Sequence, residues 1–192
     1  AVAVVGEGTY VLVQRGAAVS IERFDPALGV DSGLTGTATP ATATWSGLDH
    51  LNGRTVKIVA DSVVAPDATV AGGTVTLFVP ASSVQVGLPF AHAIQPLPPP
   101  GGVGRLRPVA ITLRLQDTAG LRLDTGRGPV NVPFRRFGSG VLDGPAPAFT
   151  GDVTVRAIGW RSGGVAPLWR IEQDTPLPFT LLSVATEIST ND

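Results

Sequence analysis

Apolar positions along this chain recur with a period of two. Val109, Ile111, Leu113 and Leu115 alternate with Ala110, Thr112, Arg114 and Gln116, the pattern of a strand with one buried and one solvated face. Arg114 then points away from the core. Val56, Ile58 and Ala60 repeat the pattern, as do Val153, Val155 and Ala157. Thr74 to Val79 is rich in β-branched and aromatic residues, which pack well on a pleated surface. Asn52-Gly53 and Gly72-Gly73 each precede a strand-like run, and both dipeptides supply the positive φ of tight hairpin turns. The pattern predicts about ten strands at intervals of roughly 8 to 15 residues, in antiparallel sandwich or barrel-like modules. The fold class is mostly β, with little or no helix.

Turn-forming residues cut the chain into these short segments: 24 glycines and 17 prolines among 192 residues leave no room for long helices. Two stretches read as divisions. Leu34 to Trp45, a run of Thr, Ala, Gly and Pro, is too poor in large apolar side chains to anchor a core strand and reads as a loop or linker. In Gln95 to Gly104, Pro96-Leu97-Pro98-Pro99-Pro100 predicts stiff polyproline II released into flexible Gly101-Gly102. That stretch reads as a spacer, with a polyproline ligand for a partner domain as the sharper alternative. The expected organisation is a β segment over 1–45 that continues from an upstream domain and ends in a loop, a small β module over 46–100 ending in the proline spacer, and a C-terminal β-sandwich over 101–192. Thr9 to Val13 and Val19 to Phe24 read as two strands of a sheet whose remainder is missing, as in a fragment of a propeller blade. No period of about 20 to 50 residues repeats, which argues against a solenoid.

Hydrophobic residues form 43% of the chain and charged ones 15%, outside the low-hydrophobicity, high-charge range that keeps chains unfolded. No apolar run approaches the ~18 residues needed to cross a bilayer as a helix, so no membrane-spanning segment is expected. Cysteine is absent, which removes disulfides and thiolate chemistry. The chain has no methionine, opens Ala1-Val2-Ala3-Val4-Val5-Gly6 and shows no basic flank before an apolar stretch, so residue 1 is expected not to be a translation start. A mature product or part of something longer is expected instead.

Formal net charge is −1, and no global field favours nucleic acid or anionic lipid. Locally the balance differs. From Arg105 to Arg136, seven arginines (Arg105, Arg107, Arg114, Arg122, Arg127, Arg135, Arg136) stand against Asp117 and Asp124, an excess of five positive charges. Lys57 is the only lysine, and arginine suits bidentate carboxylate contacts at interfaces. This segment reads either as a docking face for an acidic partner or nucleic acid, or as a solvated strand face.

Candidate chemistry is sparse. Asp31-Ser32-Gly33 and Asp124-Thr125-Gly126 have the form of the paired motifs of aspartic proteases, where two carboxylates share a proton and activate water. Arg127 occupies a place where those enzymes want a small residue, the two flanks differ, and Asp at such positions ordinarily caps its own turn. His50 and His92 are the only histidines, too few for a zinc site built mainly from His. Asp49-His50 suggests an oriented imidazole, but neighbours in a strand face opposite ways. Gly138-Ser139-Gly140 lacks the frame of a nucleophile elbow. Neither Gly101-Gly102-Val103-Gly104 nor Gly6-Glu7-Gly8 completes a nucleotide loop. Trp45, Trp160 and Trp169 are assigned to core or interface. No catalytic residue, metal ligand or cofactor is expected.

One ordered set of segments carries a resemblance. It comprises Tyr10 to Arg15, Ile21 to Phe24, Gly47-Leu48-Asp49-His50-Leu51-Asn52-Gly53-Arg54-Thr55-Val56, Val59-Ala60-Asp61, Gly72 to Leu77 and Val84 to Phe90. It continues through Arg107 to Gln116, Val132 to Arg135, Thr150-Gly151-Asp152, Gln173 to Leu182 and Glu187 to Asp192. In order and spacing these resemble the C-terminal part of tail nozzle proteins (tail tubular protein B) of short-tailed phages and related prophage tail proteins. The resemblance covers most of residues 8–192. It implies a β-rich structural subunit of a ring, commonly a hexamer, forming part of the channel for genome ejection. The partners implied are further copies, an adaptor or portal-side ring, tail fibres and transiently passing DNA; the location is the virion, after assembly in the host cytoplasm. Members of that family are several times longer, and this chain lacks the large N-terminal portion. The family has no catalytic residues to transfer. The Arg105, Arg107, Arg114, Arg135 and Arg136 side chains are expected at a subunit or tail-component interface rather than on the channel wall. The rival readings are a host-surface or glycan-binding module of a tail tip and, third, an aspartic-type hydrolase.

Overall fold

The computed structural model of the chain describes residues 1–98, 105–134, 147–156, 161–162 and 167–191. Among these residues there is no α-helix, only a 3-10 turn at Asp49–Leu51. The strands are β1 (Val2–Val5), β2 (Gly8–Arg15), β3 (Ala18–Phe24), β4 (Asp31–Trp45), β5 (Thr55–Ala60), β6 (Val63–Thr69), β7 (Val75–Leu88) and β8 (His92–Ile94). They continue as β9 (Arg105–Thr118), β10 (Arg122–Asp124), β11 (Pro129–Asn131), β12 (Phe149–Val155), β13 (Arg161–Ser162), β14 (Arg170–Gln173) and β15 (Leu181–Asn191). All pairing is antiparallel, and the fold is mostly β and sandwich-like, as the alternation predicts.

Among the described residues these strands form four sheets, in the orders β1-β2-β3, β4-β7-β5-β6, β11-β10-β14-β8 and β12-β9-β13, with β15 also pairing with β9. The second sheet and the 3-10 turn enclose a first core of Trp45, Leu48, Leu51, Val56, Ile58, Val75 and Val86. A second core lies between the third and fourth sheets. Ile111, Leu113 and Leu115 of β9 are fully buried there against Leu123, Trp169 and Ile171, each such side chain contributing roughly 1.5–3 kcal/mol by leaving water. The buried polar side chains of Thr118 and Gln173 are satisfied. Thr118 Oγ1 donates to Gln116 O at 3.0 Å and accepts from Thr180 N at 3.0 Å, and Gln173 Nε2 donates to Gly120 O at 2.7 Å.

The stretch from Leu34 to Trp45 is not the expected loop. It is the greater part of β4, hydrogen-bonded along β7 from Asp31↔Leu88 to Trp45↔Val75. Poverty in large apolar side chains argued against a core strand, yet an edge strand of threonines needs only a backbone partner and an anchor. Trp45 is that anchor, and Gly36 makes room for it, since a Cβ there would fall 2.7 Å from the indole. Pro40 lies where the register shifts between Thr37 and Thr42, so its missing N–H breaks no ladder bond. The sheets also cross both expected divisions. β4 joins the strands of 55–88, and β8, which precedes the prolines, pairs with β14 of the sandwich. Of the proline spacer, 95–98 carries no regular structure and 99–104 lies outside the described residues.

Two smaller differences have local causes. Val109 is half-buried rather than inward, because Glu187 pairs with Ala110 and Ile188 with Pro108; the bulge skips Val109 and resets the alternation. Gly72-Gly73 forms the expected hairpin turn, with φ of 57° and 69° and reciprocal bonds between Ala71 and Thr74, but Asn52-Gly53 closes the 3-10 turn instead. The β5–β6 hairpin turns on Asp61-Ser62, two non-glycine residues at φ of 46° and 67°. The Asp61 carboxylate accepts from Ser82 N at 3.1 Å and Ser83 N at 2.8 Å, pinning β7 to this turn.

Candidate functional site

The strongest polar constellation sits where the β1–β3 meander faces the first core. Alternation on paired strands puts Val11, Val13 and Arg15 of β2 on one face with Ser20 and Glu22 of β3, through the registers Val11↔Glu22 and Val13↔Ser20. That face looks across a cleft of about 940 Å³ onto Val30, Asp31, Leu34, Leu51 and Leu88. Arg15 spans it. Its guanidinium bonds both Glu22 oxygens and reaches Asp31 Oδ1 and Oδ2 at 2.8 and 2.7 Å. Ser20 Oγ donates to Glu22 at 2.8 Å, and Ser32 Oγ donates to it at 3.3 Å. The Arg15 hydrogen bond pulls the Glu22 carboxyl below its usual range, and the same bond holds Arg15 protonated more firmly than usual.

This arrangement holds charge and does not activate it. Asp31 is committed to Arg15, and His50 Nε2 lies 2.9 Å from the Ser32 carbonyl oxygen rather than its hydroxyl, so no Ser–His pair forms there. Asp124, the other carboxylate of the paired acid motifs, sits in a different sheet and accepts from Gly126 N at 2.5 Å and Gly128 N at 3.1 Å, as turn-capping Asp does. No group of three His, Asp or Glu that could hold a metal ion occurs among the described residues. Gly138-Ser139-Gly140 lies outside them.

The arginine segment meets acids the sequence count did not include. Arg114 points outward as expected, and its Nε and Nη2 bond Asp152 at 2.8 and 2.9 Å across the β9–β12 pair. Arg122 bonds Glu172 at 3.0 Å and also Asp174. Within 105–136 only two acids were available; Asp152, Glu172 and Asp174 arrive from strands and loops distant in sequence. Arg107 is half-buried with its Nε closed to solvent and without a hydrogen-bond partner. The backbone of Arg105 pairs with Ser162 and Asn191, while Arg135 and Arg136 lie outside the described residues. Trp45 and Trp169 are core residues, the latter donating from Nε1 to Thr186 Oγ1 at 2.8 Å; Trp160 lies outside the described residues.

Sequence reading missed the apolar surface. Val2, Val4 and Val5 of β1 are each about 70% exposed, and Val19, Ile21 and Phe24 of β3 are comparably bare. Among the described residues no strand pairs with β1 or β3 beyond β2. Phe78, where β7 bulges between Thr76 and Ala81, is 96% exposed. Alternation marks which residues share a face, but not whether another element covers it. No protein-family model and no curated protein matches this chain.

Proposed function

We propose that the chain is a structural subunit of a phage tail, a nozzle or tail-tube component that assembles with copies of itself into a six-fold ring forming part of the channel for genome ejection. The observation that carries this reading is the β1–β3 meander. Its β1 edge, Val2-Ala3-Val4-Val5, bears no charge and no proline, whereas the β6 edge carries Pro66 and Asp67. Unprotected apolar edges promote pairing with another chain, and a ring offers each subunit such a neighbour through contacts that close by rotation. The ordered resemblance to tail nozzle proteins supplies the identity of the assembly. Other tail proteins (an adaptor or portal-side ring and tail fibres), passing DNA, and a place in the virion after cytoplasmic assembly belong to the same proposal. So does a role without catalysis or cofactor. Electron microscopy of the purified chain, alone and with the other tail proteins, tests it: rings are expected, and a monodisperse monomer in both samples would refute it.

One observation favours a second reading, glycan binding at a tail tip. Phe24 and Phe90, 65% and 45% exposed, stand on the wall of the 940 Å³ cleft with Arg54 and His50, and aromatic faces beside polar groups suit sugar rings. A glycan array distinguishes it, since a ring subunit without this role gives no specific signal.

A further inference from the structure

Just beyond the end of β7, one partly buried imidazole packs against two aromatic rings. His92 opens β8, four residues after β7 ends, and pairs with Gln173 of β14. Its ring stacks on Phe179 with centroids 5.2 Å apart and planes 25° apart, and lies 6.0 Å from Phe90. Nε2 is closed to solvent and has no hydrogen-bond partner. The loop carrying Phe179 also touches the first module: the Pro176 backbone lies 2.8 Å from where a Cβ on Gly29 would sit. A cavity of about 590 Å³ opens along this joint, with Leu28 and Phe90 on one side and Leu177, Pro178 and Phe179 on the other.

No described residue lining that cavity is charged. The carboxylates on the elements around it are engaged elsewhere. Asp25 accepts from Ala27 N at 3.0 Å, Asp61 from Ser82 N and Ser83 N at 3.1 and 2.8 Å, and Asp117 from Thr150 Oγ1 at 3.2 Å. Glu172 and Asp174 bond Arg122, and the Lys57 ammonium bonds Asp67. Among the described residues none of these carboxylates bonds Nε2 of His92, so a cation there has no paired counter-charge.

We infer that His92 is a proton-sensitive latch of this joint: the neutral ring closes it, and protonation, which places an unpaired charge against Phe179 and Phe90, opens it. The inference stands apart from the phage-tail reading. Attraction of a cation for the Phe179 face opposes the effect; loss of hydration acts in its favour, and burial holds the His92 pKa below the ordinary 6.5. The open state therefore binds more protons than the closed one. Closure is complete above the ordinary histidine pKa and weakens as pH falls below it.

Hydrogen exchange of the full chain from about pH 8 to about pH 5 tests this, with rates corrected for intrinsic chemistry. Amides of β8, β14 and 174–180 are expected to exchange several-fold faster in acid, while those of β5 stay unchanged. His92→Phe keeps an aromatic stack without a titratable group and should abolish the pH response. The same response in His92→Phe, or none in the unmodified chain, overturns the inference. NMR titration of the imidazole, assigned with His50→Gln, gives an independent measure: a His92 ring that titrates at or above 6.5 also overturns it.

Discussion

Replacing Arg15 by Gln removes the guanidinium that joins the meander to β4. Among the described residues, the hydrogen bonds that tie β2 and β3 to the rest beyond the chain connection are those of Arg15 to Asp31 and of Ser32 to Glu22. The Arg15 and Glu22 side chains are 25% and 21% exposed, which puts their pair between a surface and a buried one; Asp31, at 45%, is more nearly solvated. Exposed ion pairs contribute about 0.2–1 kcal/mol and hydrogen bonds to charged groups about 1.5–3 kcal/mol. Discounted for exposure, docking of the meander should weaken by about 1–2 kcal/mol, a roughly 5- to 30-fold rise in its undocked population. Undocking bares Val11 and Val13, and a sheet of three strands with no covered face is marginal alone. Hydrogen exchange read peptide by peptide should show faster exchange in β1–β3 and no change in β9. Equal acceleration of β9, or an unchanged meander, would refute the clamp. Acid should mimic the substitution. Because Arg15 holds the Glu22 carboxyl low, the clamp is intact above the usual glutamate pKa of about 4.3 and is lost as pH falls further, a window below that of His92.

Leu113→Ala opens a cavity at a site with no exposure, between β9 and the facing sheet, and should cost about 2–5 kcal/mol in urea denaturation; a loss under about 1 kcal/mol would mean the two sheets do not share a packed core. Gly72 and Gly73 separate two effects of one turn. Both have positive φ, but a Cβ on Gly72 meets nothing while one on Gly73 strikes the Asp49 carboxylate, so Gly73→Ala should lower the melting temperature more than Gly72→Ala; the reverse order would contradict this turn geometry. Asp61→Ala frees the amides of Ser82 and Ser83 and should speed their exchange, with Asp61→Asn milder because its amide oxygen still accepts; no change in either variant would show that β7 is held without this turn.

Much of the architecture was legible in the chain because a strand's two faces alternate with period two whatever surrounds it. Ile111, Leu113, Leu115 and the outward Arg114 were assignable for that reason, as was Gly72-Gly73, whose backbone requirement is local. The Trp45 strand was not. A threonine-rich edge is held by hydrogen bonds to β7, some forty residues on in sequence, and by a glycine that accommodates the indole, neither of which composition reveals. Charge behaved likewise. Counting within 105–136 predicted a basic face, but Arg114 and Arg122 are paired by acids folded in from beyond residue 150. The Arg15 cluster needed β2, β3 and β4 brought together. The orphaned Nε2 of His92 needed Phe179 laid over it by pairing with a strand nearly eighty residues away. Local periodicity thus determined the strands and their inward faces. Only the tertiary structure, which sets non-local neighbours and with them solvation, decided which strands share a core, which charges are neutralised and which apolar edges stay bare.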